Sequence, residues 1–474
     1  MLSWLMAPSQ QRGRTSQALP TVGAMTDTTP TTLIVLGASG DLTSRLLLPG
    51  LGEVLALQPE RQVRVIGSAR TDKQDWRDTV AQAFGDSAGP AVERTLQTTE
   101  WVTADASSPQ ELAQLLEHAD DGRVVLYFAL APAVTGKVLD ALSEIELPQD
   151  LWLALEKPIG TDEDSARELN RLADRLVPAD RILRIDHFLG EPAVLDLVGL
   201  RFANRIIEPL LHRDLVESIS ITFDETLGLE GRAGFYDATG AIRDMHQSHL
   251  LQVMGVLMMD PPSSIADGEI PELISQVLAR TSVIGPIEQN MAAGRYTAGS
   301  IDGRELPSYV DEEGVDPANG TETWARLTVE VDSWRWQGVP VHLRSGKAIG
   351  SPHQEVLVRF RPVPAGAREF GDPAGDILRV DLATGEISLE LSAGGPFDPR
   401  GTSRVTLSSA TPESPFSAYG SVVRRMLDGD RSFSVSAQAS QHCWRIVQPA
   451  IDAVADGLVP LQDYQAGSEG PETI

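Results

Sequence analysis

The chain has very little cysteine, little lysine and no long hydrophobic run. One cysteine, Cys443, among 474 residues excludes an intramolecular disulfide and is typical of a reducing compartment, so we expect a cytoplasmic protein. The best apolar run, LLQVMGVLMM at residues 250–259, is short and contains Gln252, so no membrane span is predicted. Only four of the 39 basic residues are lysines, which makes each lysine a candidate for a specific role.

Positive charge is also scarce. The 39 basic residues face 67 acidic ones, which gives a formal net charge of −28. Such a balance argues against nucleic acid or an anionic membrane as a partner, and an anionic ligand would need a local basic pocket. A chain of 474 residues exceeds what one hydrophobic core usually covers, so two domains are expected.

The pattern of apolar residues changes near residue 190. Before it, short apolar runs alternate with helical stretches, which predicts a parallel, doubly wound sheet; the runs are TLIVLG, VRVIG, RVVLYFAL, LWLALE and ILRID. After it, longer runs of alternating polarity predict a mainly antiparallel sheet with helices on one face. We therefore expect a disordered tail over 1–31, a Rossmann-like dinucleotide-binding domain over 32–190 and a β+α domain over 191–474.

The first chemical motif is GASGDL, which follows an apolar strand and begins an apolar-periodic helix. Gly37 and Gly40 would allow a tight turn, and the helix N-terminus would present N–H groups to a pyrophosphate. We expect Ser39, Asp41 and Leu42 to complete this turn. The middle glycine of the G-x-G-x-x-G pattern is absent, so an ordinary strand-to-helix turn is the alternative.

The second apolar strand ends in VIGSAR, with Arg70 where an acid would hold the 2′-hydroxyl of NAD. Arg70 would pair with a 2′-phosphate, which favours NADP. Asp72 lies close enough to leave NAD open, and a solvated loop arginine is the alternative for Arg70.

One of the four lysines, Lys157, stands in EKPIG after the strand LWLAL. A lysine at the carboxyl end of a parallel strand faces the ligand crevice of such a sheet. Several sugar oxidoreductases carry a similar E-K-P, so the motif favours function over the alternative of a surface lysine.

Two further segments carry groups suited to proton transfer. The predicted helix GAIRDMHQSHLLQVMG holds Asp244, His246 and His249, and RIDHFLGEP places Asp186 beside His187. No thiol or clear third ligand accompanies the helical histidines, so we expect no metal there. A neutral imidazole is suited to removing a hydroxyl proton near neutral pH, although a structural histidine is the alternative for His249.

Taken together, the motifs resemble the glucose-6-phosphate dehydrogenase family over roughly residues 32–471. The segments occur in that family's order: GASGDLTSRLLLP, YFALAP, EKPIGTDEDSARELN, RIDHFLGEP, LRFAN, GRAGFYDATGAIRDMHQSHLLQ, EEGVDPANGTETWARLTVEVDSWRWQGVPVHLRSGKA and WRIVQP. The resemblance implies NADP-dependent oxidation of a hexose 6-phosphate at C1 to its lactone. It also implies a homodimer or homotetramer assembled through the second domain.

The family's roles fall on matching residues. His249, in QSH, would be the base that removes the C1 hydroxyl proton, and Asp186 would orient and stabilise the imidazolium. Lys157 matches the lysine between cofactor and sugar. The remaining matches are sugar-binding positions and one phosphate ligand: Glu225, Asp244, Lys347 and, for the phosphate, His187.

The chain departs from the family at the phosphate pocket. The family usually has tyrosine and lysine where this chain has Phe188 and Glu191, and His212 replaces a usual asparagine. A carboxylate about 4 Å from a phosphate costs several kcal/mol even at an effective dielectric near 20. Glu191 therefore predicts poor affinity for a 6-phosphate.

Three interpretations follow. The chain oxidises glucose 6-phosphate with a pocket rebuilt from arginines such as Arg184, Arg201 or Arg205. It acts instead on an unphosphorylated or differently substituted sugar. Or it is a catalytically weak paralogue that regulates another dehydrogenase, which the retention of Asp186 and His249 argues against.

Overall fold

The computed structural model describes residues 27–231, 233–265, 268–364, 370 and 374–471. The predicted tail therefore lies outside the described residues up to residue 26. The described part begins at Asp27, whose carboxylate lies 2.8 Å from the guanidinium of Arg123.

A six-stranded parallel sheet forms the N-terminal part, in the order β3-β2-β1-β4-β5-β6. Its strands are β1 (Thr31–Leu36), β2 (Val63–Ala69), β3 (Glu100–Thr103), β4 (Arg123–Phe128), β5 (Leu151–Glu156) and β6 (Ile182–Ile185). Strand order reverses between β1 and β4, which is where doubly wound sheets bind ligands, beyond the carboxyl ends of the strands. The parallel sheet predicted from the alternating runs is confirmed.

Helices cover both faces of this sheet, as the buried strands require. They are α1 (Leu48–Leu57), preceded by a π-helical turn at Thr43–Leu47, α2 (Trp76–Phe84), α3 (Pro90–Thr98), α4 (Pro109–Glu117), α5 (Pro132–Leu142) and α6 (Glu163–Leu176). One apolar cluster joins α1, α2 and α3 to the sheet, and a second joins α4, α5 and α6.

A ten-stranded, mainly antiparallel sheet forms the C-terminal part, as predicted. Its strands are β7 (Val216–Asp224), β8 (Thr281–Val283), β9 (Met291–Thr297), β12 (Trp324–Val331), β13 (Val341–Gly346), β14 (Gln354–Phe360), β15 (Ile377–Asp381), β16 (Glu386–Gly394), β17 (Thr402–Ala410) and β18 (Leu461–Gln465). β7 pairs with β13 and β9 with β18 in parallel, and the other pairs are antiparallel. Strands β10 (Gly299–Ile301) and β11 (Arg304–Leu306) form a separate hairpin.

Seven helices accompany this sheet within the described residues: α7 (Pro192–Phe202), α8 (Ala233–Ala241), α9 (Leu251–Met258), α10 (Ile270–Ala279), α11 (Ile287–Asn290), α12 (Ala418–Asp428) and α13 (Ala437–Ala455). Between α8 and α9 the chain is π-helical over Ile242–Leu250. Every residue of α9 is buried, because it lies in the apolar cluster between the sheet and α13. The helices predicted near 240–258 and 435–456 are thus present.

The two sheets are joined by C-terminal helices that pack on N-terminal ones. Helix α12 lies on α1, where a Cβ on Gly50 would stand 2.7 Å from the backbone nitrogen of Gly420. Glycine at this crossing lets the two backbones approach closely. Helix α13 packs on α6 in the same way, so both sheets are held against one crevice. None of the helices in the described part of the chain is both long and apolar enough to cross a membrane.

Candidate active site

The GASGDL segment forms a tight turn directly after β1. The N–H groups of Gly37 and Ala38 both donate to the carbonyl of Ser68 at the end of β2, at 2.9 and 3.1 Å. Gly37 has a φ of +78°, and a Cβ there would lie 2.3 Å from the carbonyl oxygen of Ala129. Only glycine fits this position, so the turn is built for close backbone packing at the switch point.

The predicted cofactor residues beyond Gly37 lie at the surface of this turn. Ser39, Gly40 and Asp41 are exposed and Leu42 is half-buried, ahead of the helical turn that leads into α1. Arg70 is exposed at the end of β2, next to the strand that accepts the turn's hydrogen bonds. The structure thus brings the turn and Arg70 to one edge of the crevice, a geometry that fits the pyrophosphate and 2′-phosphate of a dinucleotide.

His249 and Asp186 form a buried pair. Asp186 directly follows β6, and its Oδ1 lies 2.5 Å from Nδ1 of His249 on the π-helical segment. Burial would raise the pKa of Asp186, but His249, His187 and Lys157 together outweigh it and the pKa is lowered. Burial lowers the pKa of His249 although Asp186 opposes this. The pair therefore holds an ionised carboxylate beside a neutral imidazole whose Nε2 can act as a base.

Two lysine–carboxylate pairs lie around this dyad. Lys157, after β5, places Nζ 2.8 Å from Oδ1 of Asp244, and Lys347, after β13, places Nζ 2.6 Å from Glu225. Glu225 follows β7, whose parallel pairing with β13 sets the two residues at the same end of the sheet. Burial alone would raise the pKa of Asp244, but Lys157 lowers it to about 2. Both acids that were predicted to bind the sugar are thus paired with cations.

His187 stands between this group and the surface. Its ring lies 4.7 Å from the ring of His249 and stacks on Tyr419 at 5.2 Å, between centroids. Burial, together with His249, lowers the pKa of His187 to about 3, so the ring is neutral. Phe188 stacks on His249 with centroids 4.1 Å apart and fixes the plane of that imidazole. A neutral His187 can donate a hydrogen bond to a ligand from one ring nitrogen.

Glu156 and two tyrosines belong to this group, although the sequence did not indicate them. Buried Glu156 accepts hydrogen bonds from the hydroxyls of Tyr127 and Tyr419, the second at 3.3 Å. Burial raises the pKa of Glu156 to about 7. The position of Glu156 directly before Lys157 could have indicated that it belongs to the site. The residues around Tyr419 gave no such indication.

Histidine 246 is structural. Its ring is fully buried and lies 3.3 Å from the carbonyl of Ala241 and 3.2 Å from that of Leu343. The ligand-type atoms of Asp186, His187 and His249 lie within 4.8 Å of one another, but the dyad hydrogen bond engages two of these residues.

Two of the three arginines expected to rebuild a phosphate pocket are buried and bonded within the fold. Arg184 is buried and donates to Asn170 at 2.6 Å, and Arg201 is buried and bonds Glu208 and the carbonyls of Val256 and Met259. Both arginines are used inside the fold, so the hypothesis that they bind phosphate is wrong. Arg205 is exposed beyond the end of α7.

A cavity of about 680 Å³ opens beside His187 and Tyr419. We call it the acidic cavity, because its charged lining residues are three carboxylates and one guanidinium: Glu53, Glu191, Glu413 and Arg45. Residues of the β15–β16 turn and the segment before α12 close its far side. It is large enough for a hexose, and His187 connects it to the dyad.

Comparison with known proteins defines the class of the chain. Residues 34–196 match "Glucose-6-phosphate dehydrogenase, NAD binding domain", and residues 198–474 match "Glucose-6-phosphate dehydrogenase, C-terminal domain". The glucose-6-phosphate 1-dehydrogenase of Gluconobacter oxydans is 36% identical, with 94% of this chain and 95% of that protein aligned. The enzyme of Aggregatibacter actinomycetemcomitans is 32% identical over 93% and 94% of the two chains.

Solved structures agree with this. A glucose-6-phosphate dehydrogenase in complex with its substrate glucose-6-phosphate has a TM-score of 0.83 at 28% identity, covering 93% of this chain and 95% of that one. The enzyme from Mycobacterium avium has a TM-score of 0.81 at 30% identity, covering 94% and 95%. The chain belongs to the glucose-6-phosphate dehydrogenase family and is a nicotinamide-dependent sugar dehydrogenase.

Proposed function

We propose that this chain oxidises glucose 6-phosphate at C1 to 6-phosphogluconolactone with NADP as oxidant. The observation that carries the proposal is the buried His249–Asp186 dyad, set among the paired cations Lys157 and Lys347 at the carboxyl ends of the strands. Family membership and the relatives' printed activity support the same reaction.

His249 removes the C1 hydroxyl proton through Nε2, because Nδ1 is held by Asp186. Asp186 stabilises the imidazolium that forms and keeps the ring in the required tautomer. Glu225, Asp244 and Lys347 bind sugar hydroxyls, and Lys157 lies between sugar and cofactor. His187 donates a hydrogen bond at the C6 end.

The turn of Gly37, Ser39, Gly40, Asp41 and Leu42 holds the pyrophosphate, because it follows β1 and leads into the helical segment before α1 where the strand order reverses. Arg70 fits a 2′-phosphate and distinguishes NADP from NAD. When bound, the nicotinamide accepts the hydride that leaves C1.

The test measures NADPH formation with glucose 6-phosphate, and lactone by chemical trapping. We expect His249→Asn to reduce turnover by about a hundredfold or more while NADP still binds. Exposed His118→Asn, beyond the end of α4, is the control and should retain turnover. A His249 variant with near-normal turnover would refute the assignment of the base.

We further propose a homodimer or homotetramer in the cytoplasm, with the domain boundary near residue 190. All nine residues of β17, an edge strand, are exposed, including Leu407 at 60% and Val405 at 39%. Exposed apolar edge strands invite pairing, and closed symmetry is the usual outcome. Sedimentation should give two or four chains, and Leu407→Lys should reduce that number.

A further inference from the structure

The loop that carries Lys347 begins at the end of β13. Its next residue, Ala348, has a φ of +55°, in the left-handed region that residues other than glycine rarely adopt. Such a conformation persists where the surrounding structure holds it in place. The contacts around this loop therefore decide where the amine of Lys347 stands.

Strand β18 and the residues after it supply those contacts. We call residues 464–469 the β18 segment. Within it, the hydroxyl of Tyr464 donates to the carbonyl of Lys347 at 2.7 Å, and the N–H of Gly467 donates to the carbonyl of Ala348 at 2.9 Å. The β18 segment thus binds two consecutive carbonyls of the loop, one of them through a side chain.

The hydroxyl of Tyr464 belongs to a directed chain of hydrogen bonds. The N–H of Tyr296 donates to Oγ1 of Thr323 at 3.1 Å, and this hydroxyl lies 2.8 Å from that of Tyr464. Because Tyr464 donates to the carbonyl of Lys347, Thr323 is the donor between the two hydroxyls. Burial raises the pKa of Tyr464, so its hydroxyl keeps the proton that this bond needs.

Both backbone polar groups of Lys347 are bonded, and so is its side chain. Its N–H donates to the carbonyl of Thr323 at 2.9 Å, while its carbonyl accepts from Tyr464. Its amine lies 2.6 Å from Oε2 of Glu225 and 5.0 Å from the centre of the Tyr236 ring. A lysine side chain is flexible, so a fixed backbone limits the positions that its amine can reach.

We propose that Tyr464 is a positioning residue for sugar binding, which acts through its hydrogen bond to the backbone of Lys347 and does not touch the sugar. This inference rests on the proposed function, because it takes Lys347 as a ligand of the sugar. Without the hydroxyl of Tyr464, the carbonyl of Lys347 loses a donor inside the fold and the strained loop relaxes. Affinity for the sugar then falls, whereas the dyad and the cofactor turn keep their contacts.

The experiment uses Tyr464→Phe, which removes the hydroxyl and keeps the ring. We expect the KM for glucose 6-phosphate to rise about three- to tenfold, the loss typical of one hydrogen bond. The kcat and the KM for NADP should stay near their wild-type values, because a group that binds ground state and transition state equally affects only the KM of its own ligand. Calorimetric binding of glucose 6-phosphate without NADP should weaken by the same factor.

Tyr296→Phe is the matched control. Tyr296 lies directly opposite Tyr464 in the pairing of β9 with β18, is also buried, and donates from its hydroxyl to Glu312 at 2.8 Å. Both variants lose one tyrosine hydroxyl bond and should lose similar thermal stability, but only Tyr464→Phe should raise the KM for the sugar. An equal rise of that KM in both variants would reveal a general loss of packing and overturn the inference.

A second variant, Lys347→Met, tests whether Tyr464 acts through the lysine. It removes the amine and should raise the KM for glucose 6-phosphate by about tenfold or more. Adding Tyr464→Phe to it should raise the KM no further, because the amine that the loop positions is already absent. If the two effects multiply, Tyr464 acts independently of Lys347 and the inference fails. It fails as well if Lys347→Met leaves the affinity unchanged.

The binding measurement separates failure of this inference from failure of the proposed reaction. If glucose 6-phosphate yields no NADPH, but Tyr464→Phe weakens its binding only when Lys347 is present, the positioning role stands and the proposed oxidation fails. If the wild type oxidises glucose 6-phosphate and Tyr464→Phe changes neither KM nor binding, the oxidation stands and the positioning role fails. Both fail if the sugar phosphate neither binds nor reacts.

Discussion

The two ends of the candidate sugar site treat charge in opposite ways. Around His249, each charged group has a partner within hydrogen-bond distance: Asp186 with His249, Asp244 with Lys157 and Glu225 with Lys347. In the acidic cavity, carboxylates outnumber cations and Glu191 has no partner within the described residues. Buried ions persist where they are paired and hydrogen-bonded. The first end therefore fixes protonation states, and the lining of the second end carries more acidic than basic side chains.

The two ends are also formed by different parts of the fold. Four of the paired groups follow strands β5, β6, β7 and β13, and the other two, Asp244 and His249, lie on the buried π-helical segment, so packed elements of the fold hold all six in place. The cavity is lined instead by helix starts, a hairpin turn and the segment before α12. Loops and helix ends vary more readily than packed strands, so the cavity lining is the part of the site where substitutions are most easily accommodated.

The largest effect on the paired end is expected when the carboxylate of the dyad is removed. We expect Asp186→Asn to lower kcat by about a hundredfold to ten-thousandfold, since His249 loses its orientation and its counter-charge. Asp186 raises the pKa of His249, so its removal lowers that pKa further. A base works in its neutral form, and the acidic fall of the residual kcat should therefore move to lower pH.

The measurement is a pH profile of kcat for wild type and variant. Asp180→Asn changes an exposed acid on the same stretch of chain and is the control, which should keep both rate and profile. An acidic limb that stays in place, or moves to higher pH, would contradict the role of Asp186.

Breaking the pair of Lys157 and Asp244 should act on stability as well as on rate. Lys157→Met leaves Asp244 unpaired in the crevice, and loss of one partner of a buried pair costs about 3–5 kcal/mol. The two side chains are 20% and 18% exposed, so we expect about 2–3 kcal/mol. Urea denaturation with activity assays measures both effects. The double variant with Asp244→Leu should regain stability but not activity; a single variant as stable as wild type would refute the coupling.

Much of the fold could be predicted, because buried parallel strands are continuous apolar runs. The five predicted N-terminal strands lie within two residues of β1, β2, β4, β5 and β6. Strand β3 was missed because EWVT is short and only partly buried. The run around His249 predicted a helix, but its period did not reveal the π-helical turns, which are common at functional sites.

The sequence also predicted the candidate residues, but it did not predict which of them pair with each other. Lys157 and Asp244 are 87 positions apart and meet where the π-helical segment lies against the end of β5. Lys347 and Glu225 are 122 apart and meet because β13 pairs with β7. The stacking of Tyr419 on His187 depends in the same way on the docking of α12 against α1. Local patterns do not contain such long-range contacts. The expected role of Arg184 and Arg201 was wrong for that reason, because both are buried and donate to groups inside the fold.

A third prediction concerns Glu156, which links the two ends through Tyr419. Burial raises the pKa of this carboxyl from 4.5 to about 7. Its contribution to stability is therefore complete below about pH 4.5 and is lost as the pH rises through 7. We expect Glu156→Gln to gain roughly 2 kcal/mol relative to wild type between pH 5 and pH 8, because one pKa unit corresponds to about 1.4 kcal/mol. Exposed Glu144→Gln should show no such trend, and a difference that is constant with pH would exclude the buried carboxyl as its source.

The smallest effect is expected from Arg70, which lies outside both ends of the sugar site, so that its removal leaves both ends intact. Arg70 is exposed at the end of β2, so Arg70→Ala removes a charge without leaving a buried group unpaired. We expect the KM for NADP to rise about tenfold, equivalent to about 1.4 kcal/mol, with little change for NAD or for glucose 6-phosphate. Arg77→Ala, an exposed arginine on the adjacent helix α2, is the control and should change neither cofactor. Equal weakening of NADP and NAD would show that Arg70 does not contact the 2′-phosphate, and the neighbouring Asp72 would then be tested for binding to the ribose hydroxyl of NAD.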